Sequence, residues 1–173
     1  TRTILELINV LCQAFPGLAV LVVRKYQRTL SGSCWRTFNE HVLHSGDGVA
    51  YFSGNDNEPS GYRYRNGSRI VGGGMDNVEK VKGADYSLVY ANEVTELAED
   101  DWVAFLPLLR QMREDGELFL PAPRLIGDCN PANSGHWVNL RCERGETRRI
   151  RTTLRDNPAL YNDAGALTVA GEA

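Results

Sequence analysis

Leu18-Ala19-Val20-Leu21-Val22-Val23 is an unbroken apolar run of strand length, with Pro16-Gly17 before it and Arg24-Lys25 after it. A strand with one wet face alternates polar and apolar residues, whereas a run without alternation belongs to a strand covered on both faces. Tyr86-Ser87-Leu88-Val89-Tyr90-Ala91 repeats the pattern and passes directly into Asn92-Glu93. These two runs predict strands of a parallel sheet lying under helices.

The intervals supply the helices. Ile4, Ile8, Leu11 and Phe15 follow helical spacing, and Pro16-Gly17 stops that helix. Trp35, Phe38 and Val42 predict a second amphipathic helix, with Ser31 or Ser33 as its cap. Trp102, Phe105, Leu106, Leu109 and Met112 predict a third, kinked or broken at Pro107. Gly61 to Arg65 and Ser68 to Val71 flank Asn66-Gly67, a hairpin signal in which both turn residues take positive φ. Gly72-Gly73-Gly74 reads as the exit of that hairpin. Pro123 to Gly127 carries a short strand, and Asn130-Pro131 with Asn133-Ser134-Gly135 makes a loop. His136 to Cys142 and Thr147 to Leu154 read as a further pair of strands around a Gly145 turn. The sum is an α/β domain, mostly parallel, with an antiparallel hairpin added.

Composition narrows the function classes. At 173 residues, 42% hydrophobic and 24% charged, the chain reads as one soluble globular domain. No run reaches the roughly 18–20 apolar residues of a membrane span. A net charge of −3 argues against wholesale coating of nucleic acid. Basic residues do gather at Arg141, Arg144, Arg148, Arg149, Arg151 and Arg155, interleaved with Glu143, Glu146 and Asp156. That stretch reads as a salt-bridged strand face, with DNA contact as the other reading. Cys12, Cys34, Cys129 and Cys142 form no CxxC pair and read as reduced, mostly packed thiols. His41 and His44 share a helix face at i, i+3 without an evident third metal ligand.

Ligands of open α/β sheets bind beyond the carboxyl ends of the strands. Three such ends are polar here: Arg24, Lys25, Gln27 and Arg28; Asn92, Glu93 and Glu96; Asp128 and Asn130. Together they suit a polyanion with a metal ion. An apolar strand delivering a polar–acidic pair is how nucleoside triphosphatases place a magnesium-side residue and a water-orienting carboxylate. The glycine-rich loop G-x-x-x-x-G-K-[ST] does not occur, and Gly72-Gly73-Gly74 has no following Lys-Ser or Lys-Thr to replace it.

Four blocks, taken in order, resemble the ATPase domain of the large terminase subunit of tailed bacteriophages, the motor that packages viral DNA. They are Val20 to Lys25 with Thr29, Leu30 and Ser33; Val71 to Asp76 with Lys80 to Gly83, Leu88 to Glu93 and Thr95-Glu96-Leu97; Asn130-Pro131 with His136-Trp137; and Asp156-Asn157-Pro158 with Leu160. The resemblance implies a nucleoside-triphosphatase-like sheet flanked by helices, ATP and Mg2+ as cofactors, and residues 1–158 as part of an ATPase domain. That domain would begin just after its phosphate loop and first strand. Residues 159–173 would exit towards a C-terminal nuclease domain not in this chain, so that the chain alone would not hydrolyse ATP.

Roles follow from the same resemblance. Glu93 is implied as the catalytic carboxylate, and Asn92 as the magnesium-side residue acting through a metal-bound water, in a position usually held by Asp. Thr1 falls at the end of the phosphate loop, and Asn130 in the segment that couples hydrolysis to movement. Lys82 is implied as a cation reaching a neighbouring subunit's nucleotide, with Arg24 and Arg28 as alternative charge stabilisers. Implied partners are double-stranded DNA, a portal protein, the small terminase subunit and further copies in a ring. The implied place is the bacterial host's cytoplasm, docked transiently on the procapsid, with no membrane. Two other readings stand beside this one. One is a non-catalytic prophage remnant that binds protein or DNA; the other is an acid-using hydrolase built on Glu93 and Glu96.

Overall fold

The computed structural model describes residues 1–77, 79–130, 132–156, 161–162, 164 and 166. The chain divides into two units, Thr1–Val138 and Asn139–Ala173.

In the first unit, α1 (Arg2–Ala14) buries Leu5, Ile8, Asn9 and Cys12 and gives way to an extended Phe15. β1 (Ala19–Arg24) follows. Every residue from Leu18 to Val23 is fully buried, and the run divides by parity. Val20 and Val22 join Leu5, Ile8 and Cys12 of α1 and Phe38 of α2 (Arg36–His41) in one cluster. Ala19, Leu21 and Val23 join a second cluster with Val81 of α3 (Glu79–Lys82) and Trp102 of α4 (Glu99–Ala104). The absence of alternation in the sequence thus reflects helices on both faces. Each such buried Val or Leu contributes roughly 1.5–3 kcal/mol over its exposed state.

The remaining strands are β2 (Val49–Phe52), β3 (Gly61–Tyr64), β4 (Arg69–Gly74), β5 (Leu88–Ala91) and β6 (Arg124–Gly127). They form one 6-stranded sheet in the order β2-β3-β4-β1-β5-β6. β4, β1, β5 and β6 run parallel, while β2 and β3 add antiparallel pairs at one edge. The chain leaves β1 through α2 towards the β2 edge and leaves β5 through α4 towards β6. Departure to opposite sides makes the carboxyl ends of β1 and β5 the switch point of the sheet.

Several expectations are corrected. The helical run before α2 begins as a tight 3-10 turn at Gln27–Leu30 and continues through a π-helical turn at Ser31–Trp35. Ser31 and Ser33 therefore lie inside it and donate back to the carbonyls of Arg28 and Thr29 instead of capping it. Gly72-Gly73-Gly74 is not the exit of the hairpin but the end of β4, paired with Val22, Val23 and Arg24. A Cβ on Gly72 would stand 2.7 Å from the Trp35 ring, so the glycine admits the π-helical turn against the sheet. In the Asn66-Gly67 turn only Gly67 takes positive φ; Asn66 instead ties the turn to α1, donating to the Cys12 carbonyl at 2.8 Å. Because α2 ends at His41, His44 shares no helix face with it. Cys129 is exposed, not packed, although Cys12 and Cys34 are buried.

The expected strand pair at 136–154 is also overturned. Trp137–Glu143 is a helix, α5, and nothing regular spans 147–153. Gly145 (φ 74) is its C-terminal cap: Gly145 N–H donates to Cys142 O at 3.2 Å and Glu146 N–H to Arg141 O at 3.0 Å. Within the second unit, Arg141 and Arg144 both pair with Glu146, so the expected salt bridges occur on a helix end and not on a strand face. Asn157, Pro158 and Leu160 lie outside the described residues. Among the described residues no helix is long and apolar enough to cross a membrane.

Candidate functional site

The ends of β5 and β6 and the start of α1 meet beside the switch point. The register pairs Ala91 of β5 with Gly127 of β6, so Asn92 and Asp128 leave neighbouring strands side by side. The N-terminal turn of α1 opens onto the same place, bringing Thr1 in. Thr1 Oγ1 donates to Asp128 Oδ2 at 2.6 Å, and the Thr1 backbone nitrogen lies 2.9 Å from the same oxygen. Asn92 Nδ2 lies 3.0 Å from Asp128 Oδ1, 3.1 Å from the Tyr90 hydroxyl and 3.4 Å from Thr1 Oγ1.

Asp128 is the hub of this arrangement. Its Oδ1 also accepts from Glu93 N–H at 3.1 Å, and its carbonyl accepts from Val94 N–H at 2.8 Å. Burial works to raise the Asp128 carboxyl, and the hydrogen bond from the Thr1 hydroxyl works to lower it. The Tyr90 hydroxyl is pushed far up by burial and by the Asp128 charge beside it, so it stays neutral.

Glu93 takes a left-handed conformation, φ 53 and ψ 54, and among the described residues it is the one non-glycine with positive φ. Such a conformation costs about 1–2 kcal/mol for a residue with a Cβ. The hydrogen bonds that the Glu93 and Val94 N–H groups donate to Asp128 maintain it. Backbone strain held in place at a strand end is a recurrent mark of functional sites.

Asn92 is 2% exposed, and its Oδ1 has no hydrogen-bond partner among the described residues. A buried acceptor left unpaired costs about 1–3 kcal/mol. Rotating the amide would turn that oxygen towards the Asp128 carboxylate, which is worse. The side chain is thus held as a donor.

The other residues expected from the sequence lie apart from this cluster or are otherwise engaged. Arg24, at the end of β1, directs its guanidinium at Glu96, with N–O separations of 3.3 and 3.4 Å. Arg28 is exposed, its guanidinium carbon 5.9 Å from the Tyr26 ring centre, and it lines a separate open cavity of about 430 Å3 with Gln27, Trp35, Tyr51 and Asp76. Lys82 pairs with Glu79 on α3 at 3.3 Å. Asn130 is exposed in the loop after Asp128, and Pro131 falls outside the described residues. Asp128 was visible in the sequence as a polar residue after a strand but received no role. Its signal is the pairing of β5 with β6, which places it against Asn92.

Chemically, the cluster offers hard oxygen donors (a carboxylate and a hydroxyl) beside a helix N-terminus, which favours negative charge. Among the described residues no group of three or more His, Cys, Asp or Glu is placed to cage a metal. Magnesium does not need such a cage, since it is commonly held by one or two carboxylates together with substrate phosphates.

The family model of the phage terminase large subunit matches residues 4–166. The fold is similar to that of the large terminase from the thermophilic bacteriophage D6E in crystal form 2, at 14% identity and TM-score 0.62. It is similar also to crystal form 3 of the same terminase in complex with ADP, at 14% identity and TM-score 0.55. Each alignment covers 87% of this chain and 36% of the terminase, so the chain spans about a third of the length of the structures it matches. No curated protein matches in sequence.

Proposed function

The chain belongs to the phage terminase large subunit family, and we propose on that premise that it forms part of the ATP-hydrolysing motor that moves double-stranded DNA into a procapsid. The observation that carries this reading is Glu93: an acidic residue at the end of a buried parallel strand, in a strained conformation, whose N–H is tied to the Asp128 carboxylate that also holds Thr1. The D6E terminase solved with ADP supports a nucleotide as the ligand.

In this reading the phosphates of ATP lie against the N-terminal turn of α1, where backbone N–H groups and the helix dipole favour them. Thr1 would face magnesium bound with the nucleotide, and Asn92 would face it through water; the ion would supply charge to offset the phosphates. Glu93 orients and polarises the attacking water. Arg24 supplies positive charge at the crevice once it leaves Glu96, and Arg28 or Lys82 serves a nucleotide on a neighbouring copy. Asn130, in the loop after β6, links the state of the γ-phosphate to movement.

The full motor is a ring of such subunits engaging the portal, the small terminase subunit and DNA in the host cytoplasm, with nuclease activity in a further domain. The test is packaging by the full-length protein. Glu93→Gln is expected to abolish DNA entry into procapsids while ATP is still bound. Packaging at the native rate by that variant would overturn the assignment.

A further inference from the structure

The metal-side residue expected on β5 is an amide, and the charge it lacks stands one strand away. Asp128 leaves β6 beside Asn92, with Oδ1 3.0 Å from Asn92 Nδ2 and Oδ2 2.6 Å from Thr1 Oγ1. We propose that Asp128 is the metal-side carboxylate of this protein and that Asn92 is its positioning residue. The inference rests on the nucleotide reading above and goes beyond it by moving the charge of the site from one strand to its neighbour.

Three observations support it. First, the two positions are electrostatically exclusive. Carboxylates on both strands would stand about 3 Å apart in a partly buried site, and like charges at that separation cannot both stay ionised without a cation. An amide at 92 removes the conflict and donates to the charge at 128. Second, the amide is used only as a donor, since Asn92 Oδ1 is buried and accepts nothing. A residue present merely to fill space would not strand an acceptor. Third, Asp128 remains reachable: its side chain is 19% exposed, against 2% for the whole of Asn92. The hydroxyl it accepts from is that of Thr1, itself a hard donor suited to Mg2+.

The test uses the full-length protein and Mn2+, titrated alone and with ADP, with free Mn2+ read by electron paramagnetic resonance. Asp128→Asn is expected to weaken Mn2+ binding by about tenfold or more. The exchange variant Asn92→Asp/Asp128→Asn is expected to restore it to within about threefold. A merely structural role for Asp128 predicts no such restoration. Native Mn2+ affinity in Asp128→Asn, or a loss that the exchange does not repair, would overturn the proposal. Failure of the native protein to bind ADP would count against the nucleotide reading instead, and the series with Mn2+ alone would still decide the role of Asp128.

Discussion

Glu93 and Asp128 are joined backbone to side chain: the Glu93 N–H donates to Asp128 Oδ1 at 3.1 Å, across the ends of β5 and β6. The next residue repeats the tie, with Val94 N–H donating to the Asp128 carbonyl at 2.8 Å. The conformation of the proposed catalytic residue therefore depends on a neighbouring strand as well as on its own.

That dependence has a measurable stability consequence. Glycine adopts the left-handed region freely, so Glu93→Gly should relieve strain at φ 53 and raise stability by about 0.5–1 kcal/mol, after its own entropic cost. Glu93→Val should lower stability by a similar or larger amount. Urea midpoints of the two variants check this, and a glycine variant less stable than the native protein would contradict it.

Much of the architecture was legible in the sequence, for identifiable reasons. Leu18 to Val23 advertised a doubly covered strand because every position is buried on one face or the other. The end of α1 at Pro16-Gly17 and the hairpin at Asn66-Gly67 were legible through backbone chemistry that few other residues share. Gly72-Gly73-Gly74 misled because its meaning is tertiary, a strand stripped of side chains to admit Trp35. Gly145 misled because a positive φ serves a hairpin turn and a helix cap equally well. At the candidate site, Thr1, Asn92 and the Glu93 N–H all meet Asp128. The centrality of Asp128 stayed hidden because it depends on the register of two strands far apart in the chain.

The close approach at Gly72 predicts a graded response to alanine. In Gly72→Ala the new methyl would meet the Trp35 ring at 2.7 Å and the Ser60 carbonyl at 3.0 Å. A loss of about 1–3 kcal/mol is expected from such overpacking. Gly83→Ala, with nothing within 4 Å of its Cβ, should stay within about 0.5 kcal/mol of the native protein. Denaturation curves showing equal effects at both positions would contradict the packing described for β4.

The cysteines should divide by environment. Burial pushes the Cys12 and Cys34 thiols up to about 12, whereas Cys129 is exposed. A thiol reagent at pH 8 should label Cys129 promptly and reach Cys12 and Cys34 only as the protein unfolds. Mass spectrometry of the labelled peptides reads the order. Prompt labelling of Cys12 in the native protein would contradict the packing of α1 on the sheet.

The central claim is that the end of β5 is where ATP is hydrolysed, with Glu93 orienting the water. Single-turnover hydrolysis and ATP affinity, measured on one preparation of full-length Glu93→Gln, test it most directly. The account predicts a rate lower by about 10²–10⁴-fold with ATP affinity within about threefold of native. Hydrolysis at the native rate would contradict it.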